Sequence, residues 1–548
     1  MGLLQDVAVQ QVAVAAGVVA HLAYFNKGEH HQSGTKYLKV GFAAFGLLAA
    51  ACRYATSGTW LYSLRAALST LVYILVGLYG SLLVYRLLLH PLNRFPGPLA
   101  ARVGDLWLST QLSHHDLHER SLKLCEKYGP FVRVGSSTLM LAHPLAVEAI
   151  HGPHSACHKA SMYDFEQPNR GIATRDRQVH AVRRRVWSRG FGDKALRAYE
   201  GRVAVYVQLL LKQLSKSVAA RQSVDMARLT EYFAFDVMGD LGLSQDFGML
   251  QHDRQHVAIK QLVEGMAIMG FRLPMWLLRL MVDIAQPLVA TEATTGFLSF
   301  CYEHLDKMMA AEDRFERPSL MAPLLKHYEK LDPSERDISV VRNDCRFIII
   351  AGSDTVAATL AFVFFYLARH PEHVRKLREE LIPLRNADGT FAHRSIMDVE
   401  HLNAIINETL RLHPPASTIM RVTPPEGIVV ADTFIPGDMT VFSSQYVIGR
   451  SEAVYLRAAE FVPERWYAQP EMIKERAGFA PFSTGHHSCL GRPLALLEMR
   501  LLVAECVSRY DVTFAPGFDD VAFLKNVQDC MSWHMGKLDL CFTDWNPE

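Results

Sequence analysis

The sequence contains no C-x-x-C pair, and its nine cysteines are an odd number scattered from Cys52 to Cys541. A disulfide framework and a zinc ribbon are thereby excluded; a reducing compartment with mostly inert thiols is expected, at most one of them carrying chemistry. Charge of one sign is lacking as well: 57 Lys plus Arg stand against 56 Asp plus Glu, a formal net charge of +1. A chain so balanced is not built around a polyanion, which excludes nucleic acid as the main partner. Internal repeats and low-complexity tracts are absent, and with them the solenoids. With 21% charged residues against 50% hydrophobic, disorder is excluded as the dominant state.

The apolar excess is concentrated near the start. Residues 66–85 run for twenty positions without a charge, bracketed by Arg65 and Arg86. At about 1.5 Å rise per residue the run reaches about 30 Å, the thickness of a bilayer core. Segments 7–25 and 38–55 are weaker candidates, the first interrupted by Gln10, Gln11 and His21 and the second short in its apolar centre. One span and three spans both remain open. Three would leave the loop with Lys27, Lys36 and Lys39 in the cytosol and bring the chain out on the cytosolic side after Tyr85. A cleavable signal peptide is disfavoured, because the strongest run lies too far from the start. Residues 1–90 are therefore expected to be an anchor region. Residues 91–98, with Pro91, Pro96 and Pro98, are expected to form a stiff extended hinge, and 99–548 a globular domain.

Residues 337–370 read as one long helix ended by Pro371, its centre apolar all round and therefore buried. Short β-type runs at 131–142 and 427–442 flank it in sequence, so a mainly α class with minor β is expected. The stretch 454–491 is rich in turn residues and weak in periodicity, which marks it as functional.

That stretch ends in Pro481-Phe-Ser-Thr-Gly-His-His-Ser-Cys-Leu-Gly491, just before a helical run. Glycines on both sides of Cys489 allow close approach of a flat group, and exposed helix N–H groups favour the thiolate. The pattern F-x-x-G-x-x-x-C-x-G, carried by Phe482, Gly485, Cys489 and Gly491, resembles the heme-binding signature of cytochromes P-450, the heme-thiolate monooxygenases. Three further motifs follow the family's order: Ala351-Gly352-Ser353-Asp354-Thr355 at the middle of the long helix, Glu408-Thr-Leu-Arg411, and Pro463-Glu-Arg-Trp466. The resemblance covers the chain from Pro91 onward and is closest to fungal microsomal members.

The resemblance implies a P-450 fold, heme b as cofactor and Cys489 as its axial iron ligand. It implies catalytic roles for Asp354, which relays protons, and Thr355, whose hydroxyl organises them. Gly352 would clear space over the iron. His180, Arg184, Arg421 and His487 would hold the heme propionates, with His487 standing where microsomal members usually have Arg. Glu408, Arg411 and Arg465 would form a structural lock, since Glu408 and Arg411 share a helix face and buried charges persist only when paired. The glycosylation pattern at Asn407–Thr409 is read as a false positive. The histidine clusters at 114–118 and 151–158 have no partner cluster of zinc-site spacing and are set aside.

The expected activity is membrane-bound oxidation of a hydrophobic, terpenoid-like substrate with dioxygen and electrons from a separate NADPH–cytochrome reductase. The expected place is the cytosolic face of the endoplasmic reticulum, in fungal secondary metabolism. Arg185 and Arg189, on a face away from Arg184, would offer the flavoprotein a basic patch. Expected walls of the substrate pocket are 163–172, 347–351, 416–420 and 265–280. The rival readings are a heme-thiolate isomerase or dehydratase without external electrons, and a non-catalytic heme sensor or carrier.

Overall fold

The computed structural model describes residues 2–112, 114–164, 171–289 and 292–546. They fall into two compact units, one comprising Met1–Gln111, Phe131–Leu139 and Arg272–Ala290, the other Leu112–Pro130, Met140–Phe271 and Thr291–Glu548.

The first unit is built on three helices, α1 (Gly2–Ala20), α2 (Gly34–Thr56) and α3 (Trp60–Val84). Each expected span becomes a helix, and two run longer than their apolar centres: α2 takes in Lys36 and Lys39, and α3 carries Arg65. All three regions are long and apolar enough to cross a membrane, with side chains such as Val12, Phe42 and Leu47 exposed. This suggests an anchor. Small residues bring α1 and α3 together, since a Cβ on Gly17 would collide with the Ile74 carbonyl and one on Gly77 with the Val14 carbonyl. His21, the polar flaw in the first apolar segment, opens the π-helical turn that follows α1; it is fully buried and shares a 2.8 Å hydrogen bond with the Ser81 hydroxyl. The expected extended hinge is in part a 3₁₀ turn, Pro91–Arg94, capped by the His90 ring, which accepts from the Leu92 amide. Buried Arg133 pins this turn by donating to Asn93 Oδ1 at 2.6 Å.

The second unit is mainly helical. Five helices position the site: α4 (Arg177–Trp187), α5 (Met226–Leu243), α6 (Ile338–Arg369), α7 (Glu400–Leu412) and α8 (Arg492–Val507). Helix α6 is the expected long helix. Asp337 caps it by accepting from the Ser339 amide at 3.0 Å, and Pro371 opens the next helix, Pro371–Leu381. Every residue of 356–368 is buried, so α6 is long and apolar because it crosses the core. Its Gly352 lets α5 approach: a Cβ there would press on the Met238 side chain. Three short strands, β1 (His158–Lys159), β2 (Met420–Val422) and β3 (Thr440–Ser443), pair antiparallel with β2 central, and their register sets Lys159 opposite Arg421. The β-type runs at 131–142 and 427–442 do form strands. The antiparallel pairing of Tyr510–Phe514 with Asp539–Asp544 was not anticipated.

A buried carboxylate ties α7 to the irregular stretch that follows. Glu408 Oε1 accepts from Arg411 Nη2 at 2.7 Å, Arg465 Nε at 3.0 Å and the Val462 amide at 2.8 Å. Its Oε2 accepts from Arg411 Nε and from the Trp466 indole, each at 2.9 Å. The two guanidiniums spend their remaining donors on backbone carbonyls of Gly449, Leu456, Arg457, Ala458 and Glu460. All three charged side chains are fully buried, and every hydrogen-bonding need is met within the group. Removing the negative charge strands two cations in the interior, so Glu408→Gln is expected to cost about 3–5 kcal/mol of stability in chemical denaturation. A loss below about 1 kcal/mol, the value of a surface pair, would show that the network does not hold the fold.

Candidate active site

A cavity of about 340 Å³ lies in the second unit against α6, lined by Gly352, Thr355, Phe482, Cys489 and Gly491, among others. The loop before α8 folds back on itself to present the thiol: the Cys489 amide donates to the Phe482 carbonyl at 2.8 Å. Gly485 has φ +63°, and a Cβ there would meet the backbone of His151 and Gly152, so this position admits only glycine. Gly491 meets no such barrier; a Cβ would stand 3.8 Å from Cys489 Sγ. The amides of Gly491 and Arg492 donate to the sulfur, as expected of a helix start, and pull its pKa down. Burial outweighs them and leaves the thiol above its ordinary value, so helix geometry alone does not make the thiolate.

Five basic side chains line the same cavity: Lys159, His180, Arg184, Arg421 and His487. The strand register brings Lys159 and Arg421 side by side, and Lys159 Nζ donates to the carbonyls of Ile172 and Thr174 at 2.9 and 3.0 Å. His487 Nδ1 lies 3.3 Å from His180 Nε2. Burial and the neighbouring Arg421 and Arg184 push Lys159 down to about 7. Burial, Lys159 and the arginines push His180 down to about 4, and burial, Arg421 and Lys159 push His487 down to about 2. Among the described residues, the one acidic side chain in the cavity wall is Glu498. Burial holds its carboxyl well above the ordinary range, and neither oxygen has a hydrogen-bond partner, so it is a neutral acid. The cations therefore lack an anion. Arg421 Nε and the Trp187 indole N–H are buried without acceptors. These groups fit a ligand with anionic ends and an apolar body, and the carboxylates and flat ring of heme are such a ligand.

Arg184 does more than face the cavity. It donates to the Ser488 carbonyl at 2.7 Å and to the Ser488 hydroxyl at 2.9 Å, bracing the residue before Cys489. Arg183, beside it in sequence, turns inward to an ion pair with fully buried Asp344, while Arg185 and Arg189 are exposed.

Thr355 lines the cavity and donates its hydroxyl to the Ala351 carbonyl at 2.9 Å, the back-bond common for hydroxyls in helices. Asp354 does not line it. Burial pushes its carboxyl up to about 6. Glu231 on α5, which accepts from Gln255 Nε2 at 2.7 Å, is pushed up to about 7 by burial, with Asp354 adding to the shift. Two carboxyls whose pKa values burial raises toward neutrality thus stand near Thr355, Asp354 beside it on α6 and Glu231 on α5. Of the expected walls, Tyr163, Ile172, Phe347, Ile348, Ala351, Ala416 and Ile419 line the cavity. Residues 165–170 lie outside the described residues, and 265–271 contribute no lining residue. Sequence reading missed Lys159, Trp187 and Glu231. Only Trp187 left a signal, seven residues after His180 and so two turns along the same face of α4.

A family model described as Cytochrome P450 matches residues 96–542. The chain is 69% identical over 471 residues to the cytochrome P450 monooxygenase sthD of Phaeosphaeria nodorum, covering 86% of this chain and 99% of that protein. It is 40% identical over 521 residues to the tryprostatin B 6-hydroxylase of Aspergillus fumigatus, covering 93% and 91%. The solved cytochrome P450DA heme domain superposes with a TM-score of 0.67 at 16% identity, over 80% of this chain and 95% of that one.

The uncompensated cations make a pH prediction. At pH 8 Lys159, held near 7, is mostly neutral, and an anionic partner raises its pKa and restores the proton. Cys489, whose thiol burial holds above its ordinary value, gives up a proton when it ligates, so the lysine is read as a difference: heme loading of the apoprotein at pH 8 is expected to take up ~1 proton more than loading of Lys159→Met, by calorimetry in buffers of different ionisation enthalpy. Equal proton exchange in the two proteins would refute the pairing.

Proposed function

The chain belongs to the cytochrome P450 family, monooxygenases that bind heme b through a cysteine thiolate, and on that premise we propose that Cys489 is the ligand in a membrane-anchored hydroxylase of hydrophobic substrates. The observation that carries the proposal is the shared cavity. Cys489 stands in a wall whose neighbours are five basic groups without a charged acid, while Ile172, Phe347, Ile348 and Ile419 leave the remaining walls apolar.

Bound there, heme supplies reductive activation of dioxygen and transfer of one oxygen atom to the substrate, the other leaving as water. Gly491 and Arg492 hold the Cys489 sulfur through their amides, and Arg184 braces the loop at Ser488. Lys159, His180, Arg184, Arg421 and His487 bind the carboxylate edge. Thr355, its proton committed to Ala351, presents lone pairs to a water in the cavity. Asp354, which adjoins Thr355 on α6, and Glu231 do not line the cavity; with carboxyls pushed up by burial to about 6 and about 7, they can hold protons at neutral pH that reach the Thr355 hydroxyl only through a relay. The apolar walls orient the substrate and exclude bulk water.

Residues 1–90 serve as the anchor, 91–98 as the link and 99–548 as the catalytic domain, on the cytosolic side of the endoplasmic reticulum membrane. Electrons come from a separate NADPH–cytochrome reductase, and exposed Arg185 and Arg189 suit the acidic surface of a flavoprotein. A terpenoid-sized substrate in fungal secondary metabolism suits apolar walls that carry no fixed cation of their own. The tryprostatin B 6-hydroxylase relative makes tryprostatin B the second compound to test.

In membranes bearing a reductase, Cys489→Ala is expected to abolish the thiolate-type Soret band of the reduced carbon monoxide complex. Survival of that band would overturn the assignment of the ligand. Thr355→Ala is expected to keep heme but uncouple turnover, raising hydrogen peroxide per NADPH and lowering hydroxylated product. Full coupling in that variant, with terpenoid or tryprostatin B as substrate, would remove the hydroxyl from the proton path.

A further inference from the structure

We propose that His373, His401 and Glu464 form a divalent-cation site of zinc type on the outer side of the buried lock. His373 lies on Pro371–Leu381, His401 on the first turn of α7, and Glu464 in the Pro463–Trp466 turn beside Arg465. Each offers one ligand atom, and these atoms all lie within 4.8 Å of one another. None of the three lines the cavity that holds Cys489.

Two features mark the cluster as a built site rather than a chance meeting of polar groups. His401 is fully buried; its Nδ1 lies 3.1 Å from the Tyr467 hydroxyl, while its Nε2 is buried without any partner. A ligating imidazole has this arrangement, with one nitrogen oriented by a second group and the other left for the ion. His373 is also buried, its ring centre 5.1 Å from that of His401 and its Nδ1 3.8 Å from Glu464 Oε1. Burial lowers the pKa of both imidazoles and keeps them in the neutral form that ligates. His370 and Glu372 form an overlapping group with His373 at the solvent edge. They supply a way in and a candidate fourth ligand.

Two imidazoles and one carboxylate are a zinc donor set that leaves a position open for water. Magnesium and calcium prefer all-oxygen shells and are excluded by the same donors. Lys376 Nζ lies 3.0 Å from Glu464 Oε1, the oxygen that faces His373 Nδ1, and an ion there would displace the ammonium from it. Closing to zinc–nitrogen distances of about 2.0–2.1 Å draws the ligand atoms together by about an ångström. His401 and Glu408 are seven residues apart, two turns along one face of α7, and Glu464 adjoins Arg465. The ion would therefore join from outside the same two segments that Glu408 joins from inside.

The test uses full-length, heme-loaded protein, stripped with a chelator and titrated with zinc chloride against a chromophoric competitor. One zinc per chain is expected, undisturbed by excess magnesium. His401→Gln and His373→Gln should each weaken binding by at least about tenfold, a loss that even outer partners of a metal incur. His373→Gln, nearer the surface, covers the case in which His401→Gln does not fold, and the carbon monoxide spectrum reports on folding. Absence of stoichiometric zinc, or undiminished binding in folded His373→Gln, would overturn the site. Neither outcome bears on the assignment of Cys489, because no ligand of the zinc site touches the cavity.

Discussion

A single carboxylate, Glu408, organises the part of the molecule that has least regular structure. The stretch between β3 and α8 is mostly short turns and has little ladder hydrogen bonding to hold it. It is held because Arg411 and Arg465 converge on Glu408 and use their other donors to collect five carbonyls from that stretch. A buried ion pair is weak evidence for stability, since desolvation offsets most of its attraction. Its effect here is on specificity: the charges can be buried only in the arrangement that satisfies all of them. The cysteine loop lies downstream of that stretch and inherits its placement.

The cavity follows the opposite rule. Around Glu408 both guanidiniums share a carboxylate inside the protein, whereas around Cys489 the cations meet carbonyls and hydroxyls but no charged acid. Depressed values for Lys159, His180 and His487 express that mismatch as lost protons. A protein tolerates such a cluster when a ligand completes it. The acids on and beside α6 show the same economy, since burial, helped at Glu231 by the neighbouring Asp354, moves both carboxyls into the range where protons move at neutral pH.

Much of this was legible in the sequence because motifs are local. Phe482 to Gly491, the Glu408–Arg411 pair and the Asp354–Thr355 pair are each contiguous or one helical turn apart, and the apolar core of α6 shows directly in composition. Lys159 was not legible. It meets Arg421 through a two-residue strand pairing 262 positions away in sequence, and no periodicity marks so short a strand. Glu231 is reached only through the packing of α5 on α6. Gly352 was read as clearance for a ligand, and the structure adds a second demand, the Met238 side chain of α5. The thiolate expectation followed from helix-end amides; the amides are there, but sequence does not show how far the surrounding cavity wall desolvates the sulfur.

The inward turn of Arg183 has its own consequence. Asp344, on α6, receives both that guanidinium and the Ile172 amide, and the Ile172 carbonyl is one of the two acceptors that hold the Lys159 ammonium. The ammonium end of the lysine is thus referenced to the long helix, while its backbone is held in register with Arg421 by the strand. A tilt of α6 at Asp344 carries the 171–174 segment with it and shifts the lysine relative to Arg421. The electric field at one end of the cavity therefore acts as a strain gauge for the helix that forms its roof.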